Sequence, residues 1–161
     1  MQHDTQTHNM ASNTIIYRKL IIMLVISFIA MYILMYAMVD SFPNVILNIN
    51  QFYMAGLMTM AMVLIELVVM SGMYKNSKLN MAIFAIGFIA LLGFYFGIRQ
   101  QAAVGDKQFL KSMIPHHAAA ILMVKKATLT DPEIIKLGQN IINAQQEEIA
   151  QMKAKLKQLD K

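Results

Sequence analysis

The chain has 161 residues, 57% hydrophobic and 14% charged, with 14 basic residues against 9 acidic ones for a net charge of +5. Long internal stretches carry almost no charge, which points away from one large soluble core and towards membrane spans. Cysteine is absent, so disulfides and thiolate metal ligands are excluded, and the basic residues are scattered without aromatic platforms, which argues against a nucleic-acid partner.

In chain order, residues 1–19 read as a polar, disordered tail, in which His3, His8 and Met10 are a minor candidate for binding Cu(II). A first span is predicted from about Leu20 to Val39, without a charge and long enough at about 1.5 Å per residue to cross a hydrocarbon core of about 30 Å. A second is predicted from about Phe52 to Met73 with one carboxylate, Glu66, and a third from about Met81 to Ile98 with Gly87, Gly93 and Gly97. Tyr17, Phe42, Tyr53, Tyr74 and Tyr95 fall near the predicted ends, where amphipathic rings favour the headgroup layer.

Basic residues set the expected orientation. Arg18 and Lys19 precede the first span, the loop Asp40–Gln51 has neither Lys nor Arg, and Lys75 and Lys78 lie in the next loop. The positive-inside tendency then puts the N-terminus and second loop in the cytoplasm, and the first loop and C-terminal segment outside. A bacterial inner membrane is the expected location, with the C-terminal segment periplasmic or extracellular.

Residues 99–161 turn amphipathic. Phe109, Met113, His117, Ala120, Ile121 and Val124 recur at helical spacing, as do Ile134, Leu137, Ile141, Ile149, Met152, Leu156 and Leu159. Between them Thr130-Asp131-Pro132-Glu133 reads as a capping box with Pro in the first turn. Two helices joined by a short turn predict an antiparallel hairpin, and its uncovered apolar face predicts a homodimer forming a four-helix bundle. The expected fold is therefore an all-α membrane protein, three transmembrane helices followed by a C-terminal helical hairpin.

The feature richest in chemistry is Met113-Ile114-Pro115-His116-His117, followed by Met123. Met113 and His117 are four positions apart and His116 and Met123 seven, so imidazoles and thioethers fall on overlapping helix faces. Imidazole with thioether is a soft set that suits Cu(I), or Ag(I) by the same argument. Pro115 either kinks this helix or starts it; if it starts it, the helix dipole disfavours imidazolium. Gln145, Glu148 and Met152 fall on or beside the apolar stripe of the last helix and could meet the His pair. The alternative is that the His residues cap or pack and the Met residues fill core.

The stretch with Phe109, Met113, Pro115-His116-His117, Ala120 and Met123, then Ile142, Gln145, Glu148-Ile149 and Met152, resembles the family called domain of unknown function 305. The resemblance implies a ferritin-like fold, and the family includes proteins implicated in binding copper in the bacterial periplasm or envelope. By analogy His116, His117, Met113, Met123 and Met152 are the metal candidates, with Gln145 and Glu148 as possible supporting residues. The chain departs in holding one hairpin where larger members hold two, and in having Ala118 where a polar residue usually follows the His pair. Its three preceding spans resemble a membrane-anchored branch of the family.

Within the spans, Met54, Met58, Met62, Glu66 and Met70 repeat every four residues, with Met31, Met35 and Met38 forming a similar stripe. A carboxylate at bilayer depth costs a few kcal/mol on insertion scales and marks a functional candidate. Adaptable packing is the plainer account of the Met residues. Gly93 and Gly97 form a small-residue pair read as packing. No nucleophile triad, phosphate loop or zinc-protease signature is present, and the paired Glu-x-x-His units of a di-iron oxidase are missing, so enzyme activity is not expected. The chain is thus expected to be a membrane-anchored copper or silver binding protein for metal tolerance or handover to a metal-handling partner. The alternatives are an accessory membrane subunit whose hairpin dimerises or docks without metal, and a small oligomeric cation carrier using Glu66.

Overall fold

The structure, a computed structural model, describes residues 2–160, with side chains from Thr14 onward; the readings on the side chains of His3, His8 and Met10 lie outside the described residues, and α1 begins within the stretch read as a disordered tail. Among the described residues there are five α-helices and no strand: α1 (Gln2–Leu34), α2 (Ile49–Val69), α3 (Ser77–Arg99), α4 (Asp106–Lys126) and α5 (Pro132–Leu159). Two short 3₁₀ turns, Met35–Met38 and Phe42–Asn44, lie between α1 and α2. Three segments, Thr14–Met38, Ile49–Val69 and Ser77–Arg99, are long and apolar enough to cross a membrane. Their apolar side chains point largely outward, as Ile26 at 60% exposure and Ile89 at 70% illustrate, the arrangement lipid contact tolerates and water does not.

All three differ from their predicted bounds: the first begins at Thr14 rather than Leu20, and the other two differ for local reasons. The helix of α2 stops at Val69 because Ser71 and Gly72, poor helix formers, follow in a turn. The next helix starts early, at Ser77, because the Asn76 side chain accepts a hydrogen bond from the Leu79 N–H at 3.1 Å.

The chain divides into two compact units. One comprises residues 1–32 and 53–100. Its core is Leu20, Val63, Leu67 and Tyr74, with Ile16, Tyr17, Met23, Leu24 and Ile83 packed against it. A run of hydrogen bonds links its elements: the Tyr17 hydroxyl donates to Asn80 Oδ1, the Asn80 amide to the Tyr74 carbonyl, and the Tyr74 hydroxyl to Glu66 Oε1, each at 2.6 Å. Close approach of α2 and α3 is made at Gly56, beneath the Phe94 ring. Of the predicted Gly93 and Gly97 pair, Gly93 has no neighbour within 4 Å of a built Cβ, while Gly97 sits at ordinary contact distance from Tyr53.

The other unit comprises residues 33–52 and 101–161. Its core is Ile114, Ala118, Ile121 and Ile149, joined by Met152 and Leu156 and by Val39 and Ile46 of the segment between the first two spans. That segment is further pinned by polar contacts. Buried Asn44 donates to Asp40 Oδ1 at 2.6 Å and accepts from the Lys153 ammonium at 2.5 Å, while the Gln108 carboxamide oxygen accepts from the Ile49 N–H at 3.3 Å. Residues Gln101 and Ala103, leading into α4, have φ of 50° and 56°, a left-handed conformation that side chains disfavour.

Helices α4 and α5 lie side by side in opposite directions. Val124 faces Gly138, His117 faces Glu148, and Lys107 is paired with Asp160, so one number falls as the other rises. The α5 cap differs by one residue from the predicted box: Asp131, not Thr130, accepts from the N–H groups of Glu133 and Ile134 at 2.8 and 3.0 Å, with Pro132 as the first helical residue. A carboxylate at that position also complements the helix dipole.

Candidate metal centre

Three buried residues of α4, Ile114, Ala118 and Ile121, fix how the helix is rotated, because their spacing of four and three defines the stripe facing α5 and the loop. His117 falls beside that stripe and is largely buried, its side chain 12% exposed; His116, one step of 100° further round, is exposed. The two rings stand 6.2 Å apart between centroids. Ala118, where a polar residue was anticipated by analogy, is fully buried core and leaves no room for a larger side chain.

Pro115 lies inside α4, nine positions from its first residue, so the helix-start account of neutral histidine does not apply. Its ring nitrogen has no hydrogen to give the Lys111 carbonyl one turn back. The neutral form of His117 has a different cause: burial pushes its pKa below the ordinary 6.5, with nearby His116 adding to the shift and the Glu148 carboxylate opposing it. His117 Nδ1 is buried and lies 2.9 Å from Glu148 Oε2, and no hydrogen bond is formed at this nitrogen. An unsatisfied buried nitrogen is costly in an apolar seam, and coordinating an ion or turning to bond Glu148 would remove the cost.

The register brings in the sulfur. Met113 precedes His117 by one turn on α4, and Met152 follows Glu148 by one turn on α5, so the antiparallel pairing sets the two thioethers in the layer next to the His117 and Glu148 layer. Both Met residues are half-buried, and Met152 packs on the core. Gln145 is one turn from Glu148 in the other direction, level with Ala120. Met123, by contrast, is 53% exposed on the outer side of α4, as His116 is. The predicted set therefore separates into Met113, His117 and Met152 in the seam, Glu148 at its solvent edge with its side chain 51% exposed, Gln145 flanking it, and His116 and Met123 outside. No group of three or more His, Asp or Glu side chains is gathered among the described residues, so a site here depends on thioethers. That donor mixture fits a soft monovalent ion.

Glu66 is not at mid-span. It lies three residues from the end of α2 and accepts the Tyr74 hydroxyl, which ties the end of α2 to the loop leading into α3. Met54, Met58 and Met70 are exposed, at 39%, 44% and 40%, and line no interior track. Sequence reasoning passed over the Asn44 and Asn48 contacts that tie the first loop to α4 and α5; their only trace is the Asn-rich run Phe42–Asn50, which reads as a turn.

An all-helical chain with three membrane-capable helices and a C-terminal pair of amphipathic helices is the class these observations define. Residues 97–156 match the family described as "Domain of unknown function (DUF305)". Over 136 residues the chain is 35% identical to "Uncharacterized protein L153" of Acanthamoeba polyphaga mimivirus, a match taking in 83% of this chain and 88% of that protein. Such coverage exceeds residues 97–161, so the likeness extends into the preceding helices. The chain belongs to one family with the viral protein and carries a DUF305 domain at its C-terminal end. No solved structure matches it.

Proposed function

We propose that this protein is a membrane-anchored carrier of Cu(I), with Ag(I) as a chemical equivalent, which it holds in the seam of a ferritin-like helical hairpin and hands on to a metal-handling partner. His117 supplies nitrogen and Met113 and Met152 supply sulfur, while Glu148 orients the imidazole and Gln145 flanks it. His116 and Met123 lie on the outer face of α4, outside this donor set. The site holds and releases an ion and transforms no substrate. The reading takes the spans as a membrane-anchored branch of the family in a bacterial inner membrane, N-terminus inside and hairpin outside. The shared unit of the first loop and the hairpin fits three crossings, which leave both on one side; the orientation rests on the basic residues beside the spans. A second copy completes a four-helix bundle. Apolar Met123, Leu129, Ile134 and Leu137 rim a groove of about 210 Å³ at the hairpin turn, a surface that a second copy would cover.

The observation that carries the reading is the antiparallel register, which stacks two thioethers beside a buried, neutral histidine whose Nδ1 has no hydrogen bond. The test is anaerobic titration of the full chain in detergent with Cu(I) against a chromophoric chelator. Stoichiometric binding should be lost in His117→Ala and weakened in Met113→Leu and in Met152→Leu. A folded wild-type chain that cannot compete for Cu(I) overturns the reading. The apolar groove favours one other account, an accessory subunit that docks through the hairpin turn. That account predicts that Leu137→Glu abolishes assembly while Cu(I) has no effect.

A further inference from the structure

We infer that His116 is the exchange ligand of this site: the solvent-side donor through which Cu(I) enters and leaves the His117 seam. The inference rests on the proposed Cu(I) site and adds a division of labour between two adjacent histidines. His117 is 12% exposed at its side chain, with its Nδ1 buried against Glu148. An ion arriving on another molecule's thiolate cannot reach that ring while still attached to its donor, because the donor would have to enter the seam between α4 and α5.

His116 has the complementary placement. It is exposed, one residue away, and its ring centroid is 6.2 Å from that of His117. Bonds from a metal to imidazole are about 2 Å long, so an ion on one ring is within a side-chain rotation of the other. Met123 cannot take this part. It stands seven residues, or about 10 Å of helix rise, beyond His116, and because helical side chains lean towards the N-terminus, His116 leans away from it.

The steps are ligand exchange without redox change. His116 forms a bond to the ion as one donor ligand leaves; His117 then binds as the second donor ligand leaves; thioethers from Met113 and Met152 replace His116 and close the seam. An imidazole that binds through its nitrogen lone pair releases no proton, and a departing thiolate takes one up from solvent. Release runs the same steps backwards to an acceptor of equal or greater softness.

The separation is read by comparing rate with affinity in the full chain in detergent, using Cu(I) supplied as its glutathione complex and an excess of a chromophoric chelator as acceptor. His116→Ala should leave the equilibrium affinity within about threefold while slowing both uptake and release by about tenfold or more, the pattern of a lost kinetic route rather than a lost bond. His116→Met, which restores a soft exposed donor, should recover most of the rate. Alanine on an exposed helix face preserves the fold, and unchanged helical circular dichroism checks this. Unchanged rates in His116→Ala overturn the inference and leave the Cu(I) site standing. Affinity falling in step with rate makes His116 a holding ligand and also overturns it. A wild-type chain that takes up no Cu(I) removes the site and the role together.

Discussion

The same substitution at two glycines of the membrane-capable helices should have opposite effects. Replacing Gly by Ala in a helix gains about 1 kcal/mol from propensity alone. At Gly93 a built Cβ meets nothing within 4 Å, so that gain stands. At Gly56 the same atom would lie 2.5 to 2.6 Å from three atoms of the Phe94 ring. Ordinary carbon contacts are about 3.5–4.0 Å, so the rigid ring or the whole of α3 must retreat by about 1 Å. Overpacking of that kind costs about 1–3 kcal/mol, offsets the propensity gain and leaves Gly56→Ala less stable by up to about 2 kcal/mol. Thermal unfolding in detergent reads the difference, at about 2–4 °C per kcal/mol for a chain of this size. Gly93→Ala should melt above wild type and Gly56→Ala below it. A higher melting temperature in Gly56→Ala would refute the close approach of α2 and α3 at that point.

The remaining expectations concern the unit formed by residues 33–52 and 101–161. Ala103 has φ of 56°, so Ala103→Gly should relieve about 1–2 kcal/mol of backbone strain, lose part of it to chain entropy, and raise the melting temperature by a few degrees; no change would argue against the left-handed corner. Asn44→Ala removes the acceptor of the Lys153 ammonium and the donor to Asp40, at a cost of about 1–3 kcal/mol. Hydrogen exchange should then quicken at residues 39–52, and uniform protection there would contradict the contacts. His117 also gives a pH signature: because burial lowers its folded pKa, the unfolded chain binds the proton first as pH drops through 6.5. Metal-free wild type should therefore lose stability on acidification through that window, with the slope flattened in His117→Gln. A parallel slope in the variant would place the titration elsewhere.

Three spans and two amphipathic helices were legible because each rests on local periodicity, apolar runs for the first and a 3.6-residue stripe for the second. The ligand residues were legible as types and spacings but not as a geometry. Spacing alone sets Met113 with His117 and His116 with Met123 as equals. The choice between them follows from the rotation of α4, which Ile114, Ala118 and Ile121 fix by burial against a helix thirty residues later and a loop seventy residues earlier. Glu66 looked like a mid-membrane charge because the apolar run continues to Met73, while the helix ends at Val69; Ser71 and Gly72 break it, and Tyr74 returns to the carboxylate. The Asp131 cap was displaced by one from Thr130 because both are capping residues, and Pro132 fits the first helical position only if Asp131 is the cap.

The loop between the first two membrane-capable helices changes what counts as the proposed metal-binding domain. Val39 and Ile46 pack on the same core as Met152, and Asn44 binds Lys153, the residue next to it. A fragment beginning at Gln100 would leave Ile114, Ala118 and Ile149 partly uncovered. At roughly 25 cal/mol per Å² of apolar surface, each exposed side chain removes an appreciable share of the stability of a 60-residue helical pair, which is marginal by size alone. Met152, one of the two proposed sulfur donors, packs on the same core as Val39 and Ile46, so the packing that holds it depends on the loop as well as on α4. A measurement on the hairpin alone would confound loss of ligands with loss of fold, and the full chain is the smallest unit on which the affinity of the seam has a meaning.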